Sequence, residues 1–149
     1  MAAQELNRSG VEEIKEQITL LCKRHQEIAA VFLFGSYGTY HETKFSDIDL
    51  GVLFFADRIP DLRGEMYFAD LFSTAIERED VDLVILNKAP LPLRYRIVAE
   101  GALIYEKDYF YTSDFLAFTY KLFLDYNIDY KIFMDEYSRS LKEAYGTNG

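Results

Sequence analysis

Val11, Ile14, Ile18, Leu21, His25 and Ile28 recur at helical spacing, with Glu12, Glu13, Lys15, Glu16 and Lys23 on the remaining positions. One apolar face and one charged face predict an amphipathic helix. Ser9-Gly10-Val11-Glu12 has the form of a capping box, a hydroxyl for orphan amides and a Glu three residues on, so the helix is expected to start there. The period then changes. Ala29 to Phe34 is a continuous apolar run, short and partly β-branched, that stops at Gly35. It predicts a strand buried on both faces.

Gly35 to Ser46 is polar and carries two glycines, which suits a loop or a short helix. Ile48 to Phe55 reads as a second strand with Ile48, Leu50 and Val52 on one side. Pro60-Asp61 opens a helix running to about Glu77, with Met66, Phe68, Ala69, Phe72 and Ile76 as its inner surface. Gly64 weakens that helix by about 1 kcal/mol relative to Ala. Val81 to Leu86 is a third strand. Pro90 and Pro92 introduce a helix through Ala99, with Gly101 as its C′ stop. Ala102 to Tyr105 is a short fourth strand.

From Asp108 onward the composition shifts, and seven of the 12 tyrosines and five of the 12 phenylalanines fall there. Phe115, Phe118, Leu122 and Tyr126, then Ile128, Ile132, Tyr137 and Leu141, form a helical stripe. One long helix, or two with a break near Asn127, accounts for it. The excess of aromatics suits a packing surface, on the same domain or on a partner. The tail Gly146 to Gly149 is expected to fray.

The fold class is therefore α/β: a small mixed sheet of about four strands, helices on one side, and a C-terminal helical appendage. Residues 1–107 make the main domain, and residues 108–149 a helical segment packed on it.

Composition narrows the function. With 16 Lys and Arg against 25 Asp and Glu, the net charge is −9. That field repels a phosphate backbone and argues against direct nucleic-acid binding, while it suits a cationic partner or bound metal ions. Cys22 is the only cysteine among the 149 residues, so an intramolecular disulfide and a Cys-based zinc site are excluded. No apolar run approaches the roughly 18 residues that span a bilayer. The first ten residues lack the basic-then-apolar form of a secretory signal. A cytoplasmic protein without membrane attachment is the expectation, and self-association stays open.

The chemistry gathers around the first two strands. Gly35-Ser36 follows a buried strand directly, and after ten intervening residues Asp47-Ile48-Asp49 heads the next strand. Residues i and i+2 of a strand share a face, so Asp47 and Asp49 project together, about 7 Å apart at the Cα. Two like charges side by side disfavour each other unless a cation sits between them. Carboxylates are the hard oxygen ligands that Mg²⁺ prefers. Asp82 interrupts the otherwise apolar Val81 to Leu86 and supplies a third acid. Its competing reading is a mere strand start, with Glu79 and Asp80 as the solvated turn. Glycine lets the backbone approach a phosphate, and the Ser36 hydroxyl adds a hydrogen bond. Together these describe a metal-dependent phosphoryl or nucleotidyl transfer site.

Gly35-Ser36, the ten-residue interval, Asp47-x-Asp49 and a later strand Asp resemble the polymerase-β-like nucleotidyltransferase superfamily. Within it the chain is similar to the minimal nucleotidyltransferases (MNT) that act as antitoxins to HEPN-type toxins. The resemblance runs from about Val31 to Tyr105 and includes Leu93-Arg94-Tyr95-Arg96-Ile97-Val98-Ala99-Glu100-Gly101. It implies a sheet with both acidic strands adjacent, and AMP transfer from ATP to a hydroxyl, a tyrosine of a partner HEPN toxin. Asp47, Asp49 and Asp82 would be catalytic and hold two Mg²⁺ ions, with Gly35 and Ser36 on the β- and γ-phosphates. Members often carry an Arg shortly after the Gly-Ser. Here that stretch is Tyr37-Gly38-Thr39-Tyr40, and Lys44 is the substitute expected to meet the nucleotide. Two alternatives stand beside this reading. One is a catalytically weak antitoxin that neutralises by binding; the other is an adenylyltransferase for a small molecule such as an aminoglycoside.

Other residues read more plainly. His25, on the apolar helix face, is expected as a core or boundary histidine. Cys22 is expected as a small core hydrophobe, and His41 as a surface residue. Arg94 and Arg96 either face a triphosphate or offset the acidic surface.

Overall fold

The computed structural model describes the backbone of residues 2–35 and 48–145. Side chains are described from residue 10 onward within those ranges, except at positions 130, 133 and 145. In chain order the elements are α1 (Ala2–Lys23), β1 (Ile28–Phe34), β2 (Ile48–Phe54), α2 (Leu62–Ile76), β3 (Val81–Ile85), α3 (Leu91–Glu100), β4 (Ala102–Glu106) and α4 (Tyr109–Tyr145). The strands form one mixed sheet in the order β3-β2-β1-β4. β1 is antiparallel to both β2 and β4, and β2 is parallel to β3.

β1 is buried from Ile28 to Leu33, as its unbroken apolar run requires. A bulge between Ile28 and Ala30 resets its alternation, so Ile28, Val31 and Leu33 face one layer while Ala30 and Phe32 face the other. Ile48, Leu50 and Val52 of β2 share the first layer with Ile14, Ile18 and Cys22 of α1 and Phe68, Phe72 and Ile76 of α2. The opposite layer packs Ala30, Phe32 and Leu53 against Ile97 and Val98 of α3 and Tyr111, Phe115 and Leu116 of α4. Helices therefore cover both faces of the sheet, correcting the expectation of one. A central strand that is apolar on both faces needs two covers.

Several element details also differ from the sequence reading. α1 begins at Ala2, so Ser9 lies inside it and not at an N-cap; Ala2-Ala3-Gln4-Glu5-Leu6 are good helix formers that carry the helix past the box. It ends at Lys23, and the backbone turns through His25 before Ile28 opens β1. In α2 the Asp61 side chain accepts a hydrogen bond from Gly64 N–H at 2.9 Å, and Glu77 closes the helix in the left-handed region at φ 58°. Met66 is exposed, leaving Phe68, Phe72 and Ile76 as the buried face. Gly101 caps α3 in an extended conformation, φ −77°, and not as a left-handed C′ residue. Close approach explains the glycine instead: a Cβ there would meet Ile97 O at 2.5 Å and Leu33 O at 3.1 Å.

The segment after Asp108 is one helix without a break at Asn127. Its first turns are fastened to the domain. Tyr111 Oη donates to Phe54 O at 2.9 Å, and its ring lies 4.8 Å from that of Phe55. Further along, Phe123 stacks on Tyr95 with ring centroids 3.7 Å apart and 6° between planes.

Candidate active site

The site lies at one end of the sheet, where β1 finishes and β2 and β3 begin. Alternation along β2 gives Leu50 and Val52 to the α1/α2 layer and turns Asp49, Gly51 and Leu53 toward the α3/α4 side. The same alternation in β3 places Asp82 and Val84 on that side. Parallel pairing then aligns Asp49 with Asp82 and, across the antiparallel neighbour, Phe34 with Asp49. Two carboxylates thus leave the same sheet face from adjacent strands, whose backbones run about 5 Å apart.

Gly35 follows Phe34 immediately, at φ +83°, a left-handed conformation that glycine adopts without a steric penalty. A Cβ at this position would meet Asp49 Oδ2 at 2.2 Å. The missing side chain is therefore what lets the turn lie against the carboxylate. Asp49 is half-buried and Asp82 exposed, so the pair forms a rim open to solvent.

The turn before β3 is held in place. Arg78 donates to both carboxylate oxygens of Asp80, the Nε bond being 2.7 Å. This pairing holds the Asp80 carboxyl below its usual range. Ile48 N–H in turn donates to Asp80 O at 2.9 Å, which locks the head of β2 to the head of β3. Asp80 is thus a tied residue and not part of a solvated turn.

Among the six site positions expected from sequence, the structure brings together Gly35, Asp49 and Asp82. Ser36, Lys44 and Asp47 lie outside the described residues, as does His41. Among the described residues no group of three metal-ligating side chains gathers. The Asp49–Asp82 pair has the hard-oxygen chemistry that suits a divalent cation.

Other residues resolve as follows. His25 is half-buried, edge-on to Tyr67 and Phe68 at 6.5 and 5.6 Å between centroids, a boundary histidine. Cys22 is fully buried, and burial pushes its thiol up to about 12. The Arg94 guanidinium sits 5.5 Å over the Phe115 ring of α4, its Nε buried without a hydrogen-bond partner among the described residues. Arg96 reaches Glu100 at 3.4 Å on the exposed face of α3. α3 starts beyond β3 and ends beside Leu33, so Arg94, near its start, packs α4 away from the acidic rim. Sequence reasoning missed Asn87, whose side chain accepts from Phe54 N–H and donates to Phe54 O, both at 2.9 Å. Its one sequence signal is a polar residue directly after an apolar strand.

The Polymerase beta, Nucleotidyltransferase family model matches residues 16–110, a span that holds the whole sheet and its acidic rim. The chain belongs to this nucleotidyltransferase family. No curated protein matches it in sequence. Among solved structures, it is similar to a chain in a crystal structure of a toxin–antitoxin with AMP-PNP, at 25% identity and TM-score 0.68, covering 83% of this chain and 98% of that one. A mutant of the toxin–antitoxin MntA-HpeT matches at 28% identity and TM-score 0.62, over 81% of this chain and 94% of that one. A tri-AMPylated Shewanella oneidensis HEPN toxin in complex with MNT antitoxin matches at 24% identity and TM-score 0.63, over 91% and 98%; at that identity the likeness is one of fold. Among the described residues no helix is long and apolar enough to cross a membrane.

Proposed function

We propose that this nucleotidyltransferase moves AMP from ATP to a tyrosine hydroxyl of a partner HEPN toxin and so acts as its antitoxin, in the cytoplasm. The observation that carries the reading is the register pair Asp49–Asp82 on one sheet face beside the left-handed Gly35. Residues 1–107 form the nucleotidyltransferase domain and residues 108–149 the helical segment. The similarity to toxin–antitoxin structures, one of them with AMP-PNP, supports the donor and the class of partner.

In this reading Gly35 and Ser36 hold the β- and γ-phosphates, because a left-handed glycine without Cβ lets backbone amides approach them. Lys44 supplies the cationic contact that an Arg after the Gly-Ser gives other members. Asp47, Asp49 and Asp82 would hold two Mg²⁺ ions. When bound, these ions neutralise phosphate charge and lower the pKa of the acceptor hydroxyl. The acceptor hydroxyl gives up its proton to solvent, its oxygen forms a bond to the α-phosphorus, the bond from that phosphorus to the β-phosphate bridge breaks, and pyrophosphate departs. The acidic rim and the net charge of −9 favour approach of a cationic protein surface.

The test is direct. The chain, a HEPN toxin and ATP labelled at the α-phosphate are incubated with Mg²⁺, and toxin tyrosines are mapped for AMP. Label on the toxin, lost with Asp49→Asn and with chelation, supports the reading. Tight binding without label leaves a stoichiometric antitoxin, which the stretch Tyr37 to Tyr40 in place of the usual Arg form would favour. Label on an aminoglycoside and none on the toxin overturns it.

A further inference from the structure

α4 leads two lives. Through Phe123 its inner face packs on the domain, and from Leu124 to Ala144 every described side chain is exposed. That second half is about 33 Å of helix. It still carries an apolar seam: Tyr126, Met134, Tyr137 and Leu141 continue the face on which Leu116, Thr119 and Phe123 meet the domain. A helix half this apolar and this exposed is marginal in water by itself and gains from burial against a neighbour.

The row flanking the seam identifies the neighbour. In the packed half this row reads Phe115 and Leu122; in the projecting half, at the same seven-residue spacing, it reads Asp129, Glu136 and Glu143. The other edge of the seam, where Met134 and Leu141 follow Asn127, carries no cation. A second copy is therefore a poor occupant. Antiparallel pairing sets the acidic row against itself, and parallel pairing sets it against an uncharged row. Two copies at −9 each also repel. A second apolar row, Leu124, Ile128 and Ile132, lies across the helix from the seam and is exposed as well. Apolar rows on opposite sides fit a groove between two helices better than a flat surface.

We propose that Leu124–Tyr145 is a docking helix that inserts into an interhelical groove of the protein acceptor, with Asp129, Glu136 and Glu143 against a row of Lys or Arg. That the acceptor is a protein, and a HEPN toxin, rests on the function proposed above.

The test uses the full chain and two readouts. Asp129→Lys with Glu136→Lys, and separately Tyr137→Ala, are compared with the unaltered chain for affinity to the toxin at low and high salt. The melting shift given by ATP and Mg²⁺ serves as the control for an intact site. At least tenfold weaker binding for each variant, loss of most salt dependence in the charge-reversed chain, and an unchanged nucleotide shift are expected. Unchanged affinity and salt dependence overturn the proposal while leaving AMP transfer standing. Should the toxin itself not bind, two amphipathic helical peptides take its place, with leucine on their apolar face and either lysine or glutamate along the flank. Preference for the lysine peptide, reversed by Asp129→Lys with Glu136→Lys, sustains the docking helix though the toxin reading has failed. Equal binding of both peptides, or of neither, overturns it.

Discussion

Asp49 and Asp82 are register partners across the parallel pair β2 and β3, and both leave the sheet on the face turned toward α3. Pairing like charges on neighbouring strands is unfavourable in an apo protein. Asp82→Asn should therefore leave the metal-free protein as stable as before, or more stable by up to about 1 kcal/mol, and Asp49→Asn, isosteric and still able to hydrogen-bond, should leave it folded. Each should abolish the extra stabilisation that Mg²⁺ adds to nucleotide binding. Thermal melts with and without ATP and Mg²⁺ measure both. A marked fall in the metal-free melting temperature of both variants would make the acids structural and remove them from the site.

Gly35 is the backbone counterpart of that pair. Gly35→Ala places a Cβ 2.2 Å from Asp49 Oδ2 in a left-handed conformation. The backbone penalty is about 1–2 kcal/mol, and the carboxylate must swing away. Denaturant unfolding should show that loss, and AMP transfer should fall much further than stability explains. Full activity in the alanine variant would mean that the carboxylate tolerates displacement.

Tyr111 fastens α4 to the far end of β2. Tyr111→Phe keeps the contact with Phe55 and loses the hydrogen bond to Phe54 O, at a cost of about 1 kcal/mol. Burial raises the phenol pKa of both Tyr111 and Tyr105. In a spectrophotometric titration these two should ionise after the exposed tyrosines, and the variant should show one late tyrosine fewer.

Cys22 gives a pH dependence with a definite sign. Burial raises its thiol from 9.0 to about 12 in the folded protein, so folding favours the protonated form. The associated stability is complete below pH 9 and declines as pH rises toward 12. Unfolding free energy should therefore fall across that interval, and less steeply in Cys22→Ala, whose own baseline is lower because a buried side chain is truncated. At pH 8 the native thiol should resist alkylation until the protein is unfolded. Rapid labelling of the native state would contradict its burial.

The strands, α2 and α3 were legible in the sequence because each is a local pattern: period two or unbroken apolar runs for strands, period 3.6 for helices, and Pro, Asp and Gly at the ends. Gly35, Asp49 and Asp82 stood out for the same reason, as polar or flexible residues abutting apolar strands. Three matters were not local. That Asp49 meets Asp82, and not a residue one step along, follows from strand register, set by how the whole layer of Ile48, Leu50 and Val52 packs on α1 and α2. The second helical layer depends on α3 and α4 finding the other face of a strand whose apolar run says only that both faces are covered. α4 carries one apolar periodicity along its length, yet only its first half meets the domain, since contact ends where the sheet and α3 end. Periodicity is a property of the chain; which stretch of it finds a surface is decided by the size and placement of everything else.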